Sequence, residues 1–418
     1  MKKTVYENIG EQVVYKKCSC GLRVYVVPKE GYKKTYAVLA TDFGSIDRNF
    51  ILKGEIVAVP DGIAHFLEHK MFEQEDGSNA FDEFAKYGAN ANAYTSFEMT
   101  GYLFSTAENS DECLKHLLSY VYAPYFTDEN VSKEQGIIGQ EIKMYDDNPG
   151  WSVFFNMLRG MYKNHPINID IAGDCGEIAK ITKESLYTCY NSYYHPENMM
   201  LCVAGAADAE KVFEIVENTV PKTPYFKAET ILPDECDEVN KEFTERKMSV
   251  ANPLFSIGFK EKTFGNVIEN QALYNVLLEC IFGKSSRLYN KLYENGTVFS
   301  LSKSYNISKK CAFVEVSGEA ENPRKVYEEI LKEIKLLREE GIPEEEIETS
   351  KKVLYGKYIR KFNDVEEIAT SFVSNAFLGG DYFTYGDELL KVNGEKLRKL
   401  LCEGFRNSAL SEILPIGE

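Results

Sequence analysis

Two histidines, the acid between them and two acids far downstream are the residues of this chain best placed to do chemistry. His65-Phe66-Leu67-Glu68-His69 gathers two of the 5 histidines into five residues. On a helix, residues four apart share a face, so His65 and His69 can hold one metal ion together. Imidazole suits zinc at about 2.0–2.1 Å, and a catalytic zinc keeps three protein ligands and one open position. Glu68 lies beside His69, where its carboxylate can reach a water at that metal. The metal polarises a carbonyl and acidifies the water, while Glu68 takes and returns the proton. A random chain of this composition gives His-x-x-acid-His about 0.01 times, so the motif is specific, although its structural context must confirm it.

This is the inverted zinc motif, H-x-x-E-H, of the inverzincins. A third ligand is needed, expected as an acid on a distant helix. Thr127 to Tyr145 reads as that helix, with Thr127 or Asp128 able to cap it and acids in its first turn suiting the helix dipole. Glu134 and Glu141 are seven apart and share a face. Ile137 and Ile138 beside them mark that face as half buried. A buried acid needs a partner, and zinc is one; on this reading either acid qualifies.

Pro60-Asp61-Gly62-Ile63-Ala64 leading into the histidine motif resembles the signature of the pitrilysin, insulin-degrading enzyme and mitochondrial processing peptidase family. The resemblance covers nearly the whole chain and is strongest to that family's half-size bacterial members. It implies a zinc metalloendopeptidase with one Zn2+ per chain. The family's third ligand lies some seventy residues beyond the second histidine; Glu141, 72 beyond His69, fits. Glu134 matches the family acid that supports the site from behind the ligands. The resemblance also implies an α+β fold of two homologous α/β sandwich domains, each a mixed, largely antiparallel sheet with helices packed on one face.

The elements that position these residues are readable in order. Leu22 to Val27 and Thr35 to Ala40 read as strands. After the zinc helix, Ser78 can cap a helix that ends at Gly88. Gly88 to Ser96 alternates small and polar residues, as a strand with an open edge would. An extended peptide can add to such an edge; the resemblance assigns contact with the substrate backbone to Asn92, Ala93 and Tyr94. Gly101 to Ser105 is a further strand, and Asn109 to Tyr122 a helix. His116 reads as structural, and His165 and His195, each before a proline, read as loop positions. Asn148-Pro149-Gly150 reads as the close of the Glu141 region, and Asn198 to Gly205 as a strand ending the first domain.

At 418 residues, two domains are expected: 1–222 carrying the zinc, a connection over 223–246 and a second domain over 247–418. The second half repeats the first at offsets of 213 and 216, which set Glu141 against Lys357 and Glu134 against Ser350. No histidine follows His195, so the copy has no metal ligands. It also departs from the family. Where the resemblance leads to a substrate-clamping Arg and a Tyr seven residues on, this chain has Tyr293 and Phe299, which read as packing residues. Half-size members of the family act as pairs of chains, some dividing the labour. This chain then reads as the zinc-bearing partner of a paralogous chain that supplies the Arg and Tyr, or, second, of a copy of itself.

The net charge of −17 argues against nucleic acid and anionic membranes as partners. The 10 cysteines form no spaced framework, and the first residues carry no apolar targeting segment, so a cytoplasmic protein with reduced thiols is expected. Two rival readings stand. One is a zinc-binding structural or partner subunit that does not cut; the other is a LuxS-like lyase, which uses a Cys ligand and one small domain.

Overall fold

The computed structural model describes residues 1–263 and 265–417. They form two compact units, each assembled from three stretches of chain. The first comprises Met1–Ile142, Asp170–Leu232 and Ile359–Phe377; the second comprises Lys143–Ile169, Pro233–Tyr358 and Leu378–Glu418.

The first unit is built on a seven-stranded sheet. Its strands are β1 (Lys2–Tyr6), β2 (Glu11–Lys17), β3 (Arg23–Pro28), β4 (Thr35–Thr41), β7 (Asn90–Thr95), β8 (Thr100–Thr106) and β9 (Met199–Gly205). Their order is β1-β2-β3-β9-β4-β8-β7, antiparallel except for β3 with β9. The central strands β4 and β9 are buried at every residue, which is why Tyr36-Ala37-Val38-Leu39-Ala40 runs apolar without alternating. A small sheet pairs β5 (Asn49–Leu52) with β6 (Glu55–Ala58) and β10 (Glu229–Thr230). The helices of this unit are α1 (Ile63–Lys70), α2 (Ala80–Lys86), α3 (Ser110–Val121), α4 (Asp128–Asp146, whose last turn is counted with the second unit), α6 (Cys175–Ile178), α7 (Lys183–Tyr193), α8 (Ala209–Thr219) and α13 (Val365–Phe377).

The second unit repeats that plan with five strands, β11 (Phe243–Met248), β12 (Leu254–Glu261), β13 (Val298–Ser308), β14 (Cys311–Ala320) and β15 (Asn407–Pro415). Their order β11-β15-β12-β14-β13 mirrors β3-β9-β4-β8-β7, with β11 and β15 as the one parallel pair. Its helices are α5 (Pro149–Met161), α9 (Val267–Phe282), α10 (Arg287–Glu294), α11 (Pro323–Glu340), α12 (Glu344–Lys361, whose last residues are counted with the first unit), α14 (Tyr385–Leu390) and α15 (Gly394–Glu403). In α11, Asn322 caps the N-terminus, Pro323 opens the first turn, and Val326, Ile330, Ile334 and Leu337 form the buried stripe. The protein is thus an α+β, internally duplicated chain.

The units do not follow a linear division of the chain. Asn148-Pro149 does not close a region; Asn148 caps α5, accepting from the Trp151 N–H. Met157 and Met161 of α5 pack over Gly258 of β12, where a Cβ would sit 2.2 Å from the Met157 sulfur. The matching helix α13 begins 216 residues later, at 365 against 149. It lies on β4 and β9 of the first unit, with Phe372 against Tyr25 at 4.6 Å. Each half therefore sends its fifth helix to the other unit. The stretch 223–246 is not a plain connection either: β10 pairs with β5, and β11 begins at Phe243. At α2, the cap is Asn79, accepting from the Phe81 N–H, rather than Ser78, which bonds Asp76.

One backbone feature sets the entry to α1. Gly62 takes φ 84°, and an added Cβ would stand 2.3 Å from the Ala172 carbonyl oxygen. Both conditions exclude a side chain. Gly62→Ala is expected to lower stability by about 1–3 kcal/mol, read as a reduced urea midpoint by far-ultraviolet circular dichroism.

Candidate metal centre

Helix α1 is short and almost wholly buried: Ile63, Ala64, His65, Phe66, Leu67, Glu68 and Lys70 all lie inside. The apolar members anchor it, and the polar ones must be compensated where they stand. Helix α4 meets them. Thr127 and Asn130 cap its start reciprocally, Thr127 Oγ1 accepting from the Asn130 N–H at 3.2 Å and Asn130 Oδ1 from the Thr127 N–H at 2.9 Å. Asn130, Glu134, Ile138 and Ile142 follow at intervals of four and are buried. Ile137, expected on the half-buried face, is instead 47 % exposed.

Glu141 brings a carboxylate to both histidines. Its Oε1 lies 3.6 Å from His65 Nε2 and its Oε2 3.4 Å from His69 Nε2. Ligand atoms sharing one tetrahedral zinc at 2.0–2.1 Å would stand about 3.4 Å apart. Among the described residues, His65, His69 and Glu141 are the one set of three acids, thiols or imidazoles whose ligand atoms gather within 4.8 Å. Two imidazoles and one carboxylate are a donor set that zinc accepts, so these residues fit the ion. Glu134 stands behind them. Its Oε1 accepts from His69 Nδ1 at 3.1 Å, which leaves Nε2 free to face Glu141. Nδ1 of His65 is buried and has no such partner among the described residues.

Glu68 is held from the sheet. Thr95 Oγ1, at the end of β7, donates to Glu68 Oε2 at 2.6 Å. Thr100 Oγ1, opposite Thr95 in the ladder, donates to the Phe43 carbonyl at 2.9 Å. Thr95, expected only as part of the open-edged strand, also belongs to the site; its place opposite Thr100 in the β7–β8 register is what aims it at α1. Strand β7 is the outermost strand of its sheet, as its pattern suggests. Asn92 is exposed and Ala93 half-buried along it. Tyr94 behaves differently. Its ring lies across Gly101, its ladder partner, where a Cβ would meet the ring at 2.7 Å. Tyr94 packs on the sheet, and burial pushes its hydroxyl up out of the titrating range.

Beside Glu68 and His69 opens a cavity of about 490 Å³. Phe72 and Phe81, stacked at 4.2 Å, form one wall with Ile137, while Asn92, Glu73 and Lys133 lie at its rim.

The titration of these groups follows from their burial. Burial first, then the charge of His69, pushes His65 down to about 4. Burial also pushes Glu68 up, against the Thr95 hydrogen bond and the His69 charge. For His69, burial is outweighed by the Glu134 hydrogen bond and the charges of Glu141, Glu68 and Glu134, so it rises. Glu134, resisting its own burial through the His69 hydrogen bond, falls below the usual carboxylate range.

The other histidines are structural. His116 Nε2 meets the Ala80 carbonyl at 2.8 Å. His165 and His195 cap short turns, each accepting through Nδ1 from the N–H two residues on. Tyr293 and Phe299 are not packing residues: they are 58 % and 49 % exposed. Helix α10 buries Leu288 and Leu292, which turns Tyr293 outward, and Phe299 lies on the outermost strand β13.

Comparison with known proteins places this geometry. The description Insulinase (Peptidase family M16) matches residues 54–174, and Peptidase M16 inactive domain matches 180–354. The uncharacterized zinc protease YmfH of Bacillus subtilis (strain 168) is 41 % identical over 417 residues, which is 96 % of each chain. This chain belongs to the insulinase family of M16 peptidases. It falls in the half-size, YmfH-like branch. The crystal structure of an M16-like peptidase from Alicyclobacillus acidocaldarius superposes with TM-score 0.94 and 33 % identity, covering 97 % of this chain and 99 % of that one. Pitrilysin shares the fold, with TM-score 0.76 and 15 % identity over 96 % of this chain and 45 % of its own. Among the described residues of this M16 chain, no helix is long and apolar enough to cross a membrane.

Metal ligation needs neutral imidazoles. His69, raised above its ordinary value, is the one that must give up a proton; His65, held near 4, is already neutral at working pH. Zinc added to the metal-free chain below the raised His69 value is expected to displace about one proton. Its affinity should then fall about tenfold for each pH unit of acidification in that range. Calorimetry in two buffers of different ionisation enthalpy measures both.

Proposed function

We propose that this chain is the catalytic, zinc-bearing subunit of a metalloendopeptidase that cleaves peptides or small unfolded proteins. The observation that carries the reading is the meeting of Glu68 with His65, His69 and Glu141 beside an open strand edge and a half-apolar cavity. His65, His69 and Glu141 are the proposed ligands of one Zn2+, with Glu134 holding His69. When bound, zinc supplies Lewis acidity that polarises the scissile carbonyl and activates water. Glu68 accepts a proton from the attacking water and delivers it to the leaving amine. Its raised affinity for a proton suits that two-way transfer, and Thr95, bonded to Oε2, leaves Oε1 to carry it.

The substrate docks as an added strand along Asn92 and Ala93, whose outer backbone groups face no further strand. Tyr94 contributes through its backbone, its ring being committed to Gly101. The cavity of Phe72, Phe81 and Ile137 accepts an apolar side chain next to the cleaved bond. The clamp positions, Tyr293 and Phe299, offer no guanidinium. A paralogous chain that supplies the missing Arg and Tyr completes the site better than a second copy would. The reading without hydrolysis, a zinc-holding structural subunit, leaves Glu68 and Thr95 without a purpose.

Glu68→Gln is expected to keep stoichiometric zinc and to lose about 10²–10⁴-fold in turnover. Zinc analysis and peptide hydrolysis, run on the chain alone and mixed with its paralogue, test this together with the pairing. Robust hydrolysis by the chain alone would overturn the division of labour; none in the mixture would overturn the peptidase. Ile137→Glu should raise KM for peptides with a large apolar residue at the cleaved bond while leaving zinc content unchanged.

A further inference from the structure

Lys70 is the residue of this site with no assigned task. It ends α1 next to His69 and is 1 % exposed, although it carries an ammonium. A cation buried that deeply must be compensated by charge and hydrogen bonds. Two carboxylates do so. Glu73 Oε2 stands 2.5 Å from Lys70 Nζ, and Glu134 Oε2 stands 3.8 Å from it. The second contact is the informative one, because Glu134 Oε1 is the acceptor of His69 Nδ1. Glu134 is thus gripped at both oxygens, by an imidazole at one and an ammonium at the other.

We propose that Lys70 is a positioning residue: its buried ammonium fixes the carboxylate of Glu134, and Glu134 in turn fixes the ring of His69 toward the metal site. The inference rests on the metal-site reading above. Three features support it. His65 has no hydrogen-bonding partner at Nδ1 among the described residues, so the outer support that orients a liganding imidazole falls on Glu134 alone. Without the ammonium, Glu134 Oε2 and Glu73 would have no cation between them. The apolar body of the side chain is not the reason for a lysine, since an unbranched methionine fills the same volume.

The test is zinc affinity of the full chain, measured by competition with a chelator, in wild type, Lys70→Met, Glu134→Gln and the double variant. Circular dichroism verifies folding. Lys70→Met is expected to fold as wild type and to bind zinc about tenfold more weakly. Adding Lys70→Met to Glu134→Gln should weaken binding little further, because both act through one carboxylate. Lys70→Arg, which keeps the charge, should restore most of the affinity. Should Lys70→Met fail to fold, Lys70→Gln takes its place in the same comparison. Wild-type affinity in the uncharged variant, or full additivity with Glu134→Gln, would overturn the inference while leaving the metal site intact. A wild-type chain that takes up no zinc removes the metal site, and this inference with it.

Discussion

Everything at this site depends on compensating charge inside α1. An eight-residue helix with seven buried positions includes an imidazole, a carboxylate and an ammonium among them. None of these can be left dry and unpaired without a cost of several kcal/mol. They are met from three elements. Helix α4 brings Glu134 and Glu141 to His69, Glu141 to His65, and Glu134 to Lys70. Strand β7 brings Thr95 to Glu68. The turn after α1 brings Glu73 to Lys70. The helix, the sheet edge and the distant helix are therefore not independent supports of a preformed motif. The polar groups of α1 become tolerable only when all of them are in place, and that condition also assembles the chemistry.

The second half shows the same frame without the histidine pair. Helix α12 repeats α4, and at the position of Glu141 it carries Lys357. Lys357 Nζ stands 3.3 Å from Glu279 of α9, and Lys303 of β13 stands 3.0 Å from the same carboxylate. At the position of Glu134 stands Ser350, whose hydroxyl is 3.3 Å from the thiol of Cys280. A carboxylate between two ammoniums satisfies itself with groups the chain already has. The first half instead sets Glu68, Glu134 and Glu141 against two imidazoles and one lysine, an excess of negative charge that a divalent cation offsets. The duplication thus yields one carboxylate, Glu279, paired with lysines and one acid cluster that stays open to a cation.

The parts legible in the sequence were those governed by short-range rules. The i, i+4 histidines, the seven-residue spacing of Glu134 and Glu141, and the uncharged alternation of β7 each follow from a local period. The Asn322-Pro323 start of α11 follows from cap chemistry. What was not legible depends on which chain segments meet. Helices α5 and α13 look like ordinary amphipathic helices, and nothing local says that each packs in the other unit. Thr95 is one of many threonines until the β7–β8 register points it at Glu68. Lys70 reads as a solvated lysine at a helix end, where a cation suits the dipole; only burial at 1 % exposure shows that it faces inward. The directions of the Tyr94 and Tyr293 rings, one packed on the sheet and one turned outward, were hidden for one reason. A ring's direction is set by its neighbour across the ladder or along the helix, Gly101 in one case and the buried pair Leu288 and Leu292 in the other.

The sheet edges carry a last distinction. An open edge invites unwanted pairing, and charged side chains are the common protection. In the two main sheets the outermost strands are β1, β7, β11 and β13. Lys2 and Lys3 guard β1; Glu245, Arg246 and Lys247 guard β11; Lys303 sits in β13. Strand β7, Asn90-Ala91-Asn92-Ala93-Tyr94-Thr95, has no charge and no proline. It is also the edge whose end holds Glu68 through Thr95. An unguarded edge at that place is a liability unless a strand is meant to lie along it, and its small side chains leave the backbone accessible to one. The features that would be faults in a storage or scaffold protein, an excess of buried acid and an uncapped strand, stand side by side here. Together they favour a protein that takes a cation and an extended chain at one site over one that only holds zinc.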